Sequence, residues 1–111
     1  MDSLRRSRDF LRVFRSGKRR HCTHFTVYLL GNTSGSPRLG LTVSRKTGNA
    51  VVRNRIKRIL REAVRQAIKD LDHDGRNLTG YDIVVVPGRN CMETKPREIS
   101  NQLKDALKLL S

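Results

Sequence analysis

The feature that most constrains this chain is the stretch from Arg45 to Arg65, RKTGNAVVRNRIKRILREAVR. It opens with a basic Gly/Asn turn and continues with helical periodicity. Val52, Ile56, Ile59, Leu60, Ala63, Val64 and Ala67 recur at i, i+4, i+7 and i+8, the spacing of a stripe that faces a core. Lys57, Arg58, Arg61 and Arg65 stand opposite, with Arg53 and Arg55 on the flanks near the N-terminus. No acid occurs between Arg53 and Arg61, so within that run the cations lack i,i+4 partners and repel one another. A helix shaped by stability alone would intersperse Glu. Concentrated charge on one rigid face calls for a polyanion outside the protein, whereas the bland reading is a solvated basic face.

The rest of the chain has the same bias. Its 24 Lys and Arg against 10 Asp and Glu give a formal net charge of +14, which favours nucleic acid or an anionic membrane surface. No apolar run approaches the roughly 20 residues needed to span a bilayer, and the N-terminal MDSLRRSRDF lacks the apolar centre of a secretory signal. A length of 111 residues suits one small domain, residues 1–111, and not two, with a modest aliphatic core. Cys22 and Cys91 are too few for a disulfide scaffold and read as buried or free thiols in a reducing cytosol.

Along the chain, residues 1–6 read as a short, mobile basic arm. Ser7 is the expected N-cap of a first helix, with Asp9 in its first turn and a stop at Gly17. Phe10, Val13 and Phe14 share one face. They are either core residues or an aromatic edge on which single-stranded bases can stack. Lys18, Arg19 and Arg20 read as a linker into a strand over Thr23–Leu30, in which Phe25, Val27 and Leu29 alternate with Thr26, Tyr28 and Leu30. The turn-rich Gly31–Pro37 loop leads to a second strand over Arg38–Ser44. The basic helix is expected to reach about Asp70. A linker over 72–80 follows, then a buried strand over Tyr81–Val86 and a loop over Arg89–Glu93. A last helix is capped by Thr94 and carries Pro96 in its first turn. Its stripe is Ile99, Leu103, Ala106, Leu107 and Leu110. The order helix-strand-strand-helix-strand-helix predicts an α+β two-layer sandwich with a small sheet.

No protein active site emerges. His21, Cys22 and His24 suggest a metal cluster, but strand alternation separates their side chains and no further ligand group accompanies them. Asp70, Asp72 and Asp74 open like a calcium loop, but Tyr81 stands where the bidentate Glu is needed. Those acids are expected in a linker away from the basic helix, and no carboxylate pair is placed to hold catalytic cations. The residues describe a chain that binds RNA or DNA and does not cut it unaided.

Gly40 to Glu62, GLTVSRKTGNAVVRNRIKRILRE, with Arg53-Asn54-Arg55 at its centre, strongly resembles the signature of the bacterial ribonuclease P protein subunit family. Length, basicity and flanking elements extend the resemblance over nearly the whole chain. It implies a ribosomal S5 domain 2-like α+β fold whose strand-helix-strand crossover through the basic helix is left-handed, against the general preference. It implies a cytoplasmic, accessory subunit of a ribonucleoprotein endoribonuclease that removes the 5′ leader of precursor tRNA. In that family the catalyst is RNA and uses Mg²⁺, and the subunit needs no obligate protein partner and no membrane. Carried over by motif, Arg53, Asn54, Arg55, Lys57, Arg58, Arg61 and Arg65 bind the catalytic RNA. The leader lies in a cleft between the first helix and the sheet. Phe10, Phe14, Arg15, Tyr28, Thr42, Arg45 and Lys46 line it, with Arg53 and Asn54 at its end. Two other classes compete: a structural RNA-binding protein of ribosomal or chaperone type, and a major-groove DNA reader.

Overall fold

The structure, a computed structural model, describes residues 1–88 and 90–111. The elements are β1 (Asp2–Ser3), α1 (Ser7–Ser16), β2 (Lys18–His21), β3 (Phe25–Gly31), β4 (Arg38–Leu41), α2 (Ala50–His73), β5 (Tyr81–Pro87) and α3 (Pro96–Leu110). The five strands form one mixed sheet in the order β1-β4-β5-β3-β2. β4 lies beside β5 and parallel to it, so α2 forms the crossover between them, while β3 is antiparallel to both β5 and β2. The expected α+β architecture is present.

Strand alternation separates two apolar clusters, one on each face of the sheet. On the first, Phe25, Val27, Leu29, Ile83 and Val85 meet Ile56, Leu60, Val64, Ala67 and Leu71 of α2 and Ile99, Leu103 and Leu107 of α3. This layer of sheet against two helices is the principal core. On the second face, Leu4, Val13 and Val84 are buried under α1, with Phe10, Tyr28, Leu30 and Val86 packed partly against them. α1 is too short to cover that face. A substantial part of it stays open.

Two segments read as irregular are strands. Residues 1–6 are pinned rather than mobile: Asp2 and Ser3 pair with Arg38 and Leu39, and the Leu4 N–H donates to the Leu39 carbonyl at 2.9 Å. The cause is Leu4, only 6% exposed beside Phe10 and Gly40, whose burial contributes about 2 kcal/mol. Lys18–His21 is likewise no linker but the edge strand β2, paired along its length with Thr26–Leu29. The next strand consequently begins at Phe25 rather than Thr23.

Boundaries shift for local reasons. Arg6, not Ser7, occupies the N-cap position of α1, because its carbonyl already accepts from the Asp9 and Phe10 N–H groups. Asn49 caps α2 by accepting from the Val52 N–H at 3.0 Å. Val52, expected in the core stripe, is 39% exposed in the first turn of α2, and Leu71 extends the stripe at the other end. α2 runs through His73 and ends in a Schellman motif. Gly75 (φ +88°) donates to the Asp72 carbonyl at 3.1 Å and Arg76 to that of Leu71 at 2.7 Å. Asp70 and Asp72 therefore belong to the basic helix, not to a linker. α3 begins at Pro96 with Lys95 at its N-cap, since proline has no N–H to lose there. The Thr94 hydroxyl instead donates to the Glu98 carboxylate. Of the loop read over Arg89–Glu93, Arg89 lies outside the described residues, and Cys91–Glu93 form a 3-10 turn.

Candidate nucleic-acid interface

The open face of the sheet is organised by one buried charge. Asp82, fully buried in an otherwise aliphatic strand, accepts from Arg38 Nε and Nη2, Arg12 Nη2 and Asn32 Nδ2, each at 2.7 Å. Burial pushes its carboxyl upward. The hydrogen bonds from Arg38 and Asn32 and the charges of Arg38 and Arg12 outweigh that effect and hold it below the ordinary carboxylate range. One carboxylate thereby ties α1, β4 and the loop after β3 together, and it fixes how α1 lies across the sheet.

Residues directly opposite across the ladder share a face, so the register defines rows beneath α1. The first row is Arg38, Asp82 and Leu30. The second is Gly40, Val84, Tyr28 and Arg19. Phe10 covers Gly40, where a Cβ would come within 2.5 Å of its ring, and Val13 is fully buried in the cluster that contains Val84. Phe14, at the open side of α1, is 36% exposed and stands edge-on to Tyr28 with centroids 4.9 Å apart. In the third row Val86, Thr26 and His21 follow one another, none of them buried. Thr42 continues that row beyond β4 by alternation, its N–H bonded to Val85 at 3.1 Å. The result is a cleft with an aromatic wall and a floor of small and β-branched side chains.

Among the residues expected there, Phe14 and Tyr28 are in contact, Phe10 is half-buried beside Phe14, and Thr42 shares the face by register but stands on the far side of β5. Arg15 is exposed just past Phe14, and Arg45 and Lys46 are exposed in a 3-10 turn after Thr42. Sequence reading overlooked Asp82, Arg12 and Asn32, although an Asp inside YDIVVV is itself a signal that a buried partner exists. It also overlooked Arg19 and His21, whose parity with Tyr28 and Thr26 appears only once β2 is paired.

The cations of α2 divide between two flanks. Lys57 and Arg61 line a hollow of about 170 Å³ with Ser3, Leu4, Leu39 and Leu41, on the side of the β1 edge. Arg58 lies on the rim of a groove of about 790 Å³ between α2 and α3, whose floor includes Ile59 and Ala63. Arg53 donates to the Gly48 carbonyl at 3.3 Å, which holds the turn that precedes the helix. Among the described residues Arg53, Arg55, Lys57, Arg58 and Arg61 make no ion pair. Only Arg65 does, with Glu62 at 2.7 Å, an exposed pair of little energetic weight. The countercharge missing from the sequence is thus not supplied by the fold.

Metal-ligand chemistry is poorly provided for. Among the described residues no three His, Cys, Asp or Glu side chains converge, and Asp82 is already saturated by its arginines. Cys22 and Cys91 are free thiols, both pushed up by burial. No helix among the described residues is long and apolar enough to cross a membrane.

An open aromatic cleft on one side of a small mixed sheet, with unneutralised cations along the crossover helix, defines an RNA-binding α+β domain. The comparisons with known proteins narrow that class: the chain belongs to the ribonuclease P protein family, whose model matches residues 1–111. It is 38% identical over 102 residues to the ribonuclease P protein component of Syntrophus aciditrophicus, covering 92% of this chain and 81% of that one. It is 32% identical over 105 residues to that of Clostridioides difficile, covering 95% and 88%. Among solved structures, the RNase P protein from Thermotoga maritima superposes with a TM-score of 0.79 at 32% identity, over 100% and 99% of the two chains. The Staphylococcus aureus RNase P protein gives 0.75 at 30%, over 98% and 94%.

Proposed function

We propose that this chain is the protein subunit of a cytoplasmic ribonuclease P ribonucleoprotein and serves the endonucleolytic removal of the 5′ leader from precursor tRNA. It works through two surfaces. Arg53, Asn54, Arg55, Lys57, Arg58, Arg61 and, outside its pair with Glu62, Arg65 dock α2 on the catalytic RNA by neutralising phosphates. The cleft of Phe14, Tyr28 and Thr42, bordered by Arg15, Arg45 and Lys46 and backed by Phe10, takes the single-stranded leader. In this reading Arg53 and Asn54 serve the leader as well as the catalytic RNA. Stacking on the aromatic wall is worth about 1–3 kcal/mol per base and makes little sequence demand. On the same reading the RNA holds the Mg²⁺ and carries the hydrolytic chemistry, and the chain serves as an accessory.

The observation that carries this reading is the separation of the surfaces. The cations of α2 stand without acid partners among the described residues, and the aromatic cleft lies on the opposite face of the sheet from the α2–α3 core. A structural RNA-binding protein of ribosomal or chaperone type needs the first surface and has no use for the second. Reconstitution provides the test. The chain is combined with a ribonuclease P RNA and precursor tRNA at limiting Mg²⁺, and release of the leader is followed. Release that depends on the protein is expected. Equal release without the protein would overturn the proposal.

A further inference from the structure

We propose that the leader track continues past Tyr28 onto the edge strand β2, where Arg19 and His21 hold nucleotides upstream of those in the aromatic cleft. The inference rests on the leader-binding reading above and extends it. All four residues of β2 are exposed, and β2 closes the sheet opposite β1, so no strand among the described residues pairs with its outer edge. The ladder places Arg19 across from Tyr28 and His21 across from Thr26, hence on the cleft side, while Lys18 and Arg20 face the other way. The His21 Nδ1 lies 2.8 Å from the Thr26 hydroxyl, which orients the ring over the floor of the cleft. Nε2 remains for a phosphate or a base edge. His21, Thr26 and Val86 also border a hollow of about 260 Å³ at the end of the sheet, together with residues of the turn between β2 and β3 and with Pro87 and Gly88.

The chemistry suits single-stranded RNA. Directly opposed residues have Cβ atoms about 5 Å apart, so a base stacked against Phe14 and Tyr28 brings its neighbouring phosphate within reach of the Arg19 guanidinium. Among the described residues Arg19 has no acid partner. The direction follows from topology. Arg45, Lys46 and Arg53 follow β4, on the far side of β5 from β3 and β2. A strand entering there crosses β5 and β3 before it meets β2. With strands spaced about 4.8 Å apart, β2 adds roughly 10 Å of floor beyond β5.

The test uses the reconstituted holoenzyme and precursor tRNAs whose leaders lengthen one nucleotide at a time, with affinity measured at each length. For the unaltered protein, affinity is expected to rise with leader length and then level off. Arg19→Ala and His21→Ala should make it level off at a shorter leader. The longest precursor should bind roughly fivefold more weakly for Arg19→Ala, with the slope of log affinity against log salt flattened by about 0.7. Binding to the catalytic RNA and to mature tRNA should not change. Lys18→Ala and Arg20→Ala remove the same charge from the opposite face and should leave the levelling point where it was. Variants of both faces shifting it equally would reduce the effect to net charge and overturn the inference, as would an unmoved levelling point in Arg19→Ala and His21→Ala. An unaltered protein that shows no gain with any leader would overturn the underlying reading as well, which separates the two failures.

Discussion

Replacing Asp82 by Asn keeps its shape and removes its charge, which makes it the sharpest probe of how the cleft is assembled. Asp82 is fully buried and receives four hydrogen bonds, three of them from arginines. Breaking a buried ion pair from one side costs about 3–5 kcal/mol, because the partner charge is stranded. Here the partners can partly regain water, since the side chains of Arg12 and Arg38 are 45% and 25% exposed. The lower end, about 3 kcal/mol, is therefore expected. With a urea m-value of roughly 1.5 kcal/mol/M this moves the unfolding midpoint down by about 2 M at unchanged slope. Arg12→Ala provides the contrast. It removes the more exposed partner and leaves Arg38 and Asn32 on the carboxylate, so about 1 kcal/mol is expected. Equal midpoint shifts for the two variants would refute the idea that the carboxylate is the hub.

The same residue predicts a pH signature. The folded carboxyl lies below its unfolded value of about 3.9. Its contribution is thus present above that value and lost as pH falls through the folded one. The stability difference between wild type and Asp82→Asn should be constant near neutrality and shrink in urea melts below about pH 4. A difference that stays constant down to pH 2 would mean that the charge of Asp82 does not matter.

Three further outcomes can be measured. Arg61→Ala should weaken binding to the catalytic RNA and reduce its salt slope by about 0.7–0.9 if the residue holds one phosphate; an unchanged slope would remove Arg61 from the interface. Phe14→Ala should weaken precursor tRNA more than mature tRNA in the holoenzyme, by roughly tenfold at one stacked base. Equal losses would make Phe14 purely a packing residue. Gly40→Val drives side-chain atoms into the Phe10 ring, which already lies 2.5 Å from a Cβ built there, and displaces α1. It should destabilise the fold by about 1–3 kcal/mol and diminish discrimination between precursor and mature tRNA, while affinity for the catalytic RNA, carried by α2, stays near wild type.

What was legible in the sequence followed periodicity. α2 and α3 were found because their apolar residues recur at helical spacing over 24 and 15 residues, long enough to average out local exceptions such as Val52. β5 was found because five of its first six residues are apolar or aromatic, but the same run hid its Asp. A lone acid contributes little to a pattern, and Arg12, Asn32 and Arg38, which donate hydrogen bonds to it, lie between 44 and 70 residues away. Only the fold brings them within reach of one another.

The short edge strands failed for the opposite reason. β1 has two residues and β2 four, too few to establish alternation. In β2 every side chain is also charged or basic, so nothing apolar marks which face is inward. What makes Lys18–His21 a strand is the free edge of β3, whose backbone groups pair with it from Lys18 to His21. A basic run read as a tether therefore has two functional sides. Arg19 and His21 extend the cleft, and Lys18 and Arg20 do not. A charged side chain on an edge strand also discourages a second sheet from pairing there, so all four residues can protect the edge while only the alternate pair meets RNA. The two roles make different demands on substitution. Protection tolerates any charge at any of the four positions, whereas the cleft role requires a hydrogen-bond donor or a cation at 19 and 21 alone.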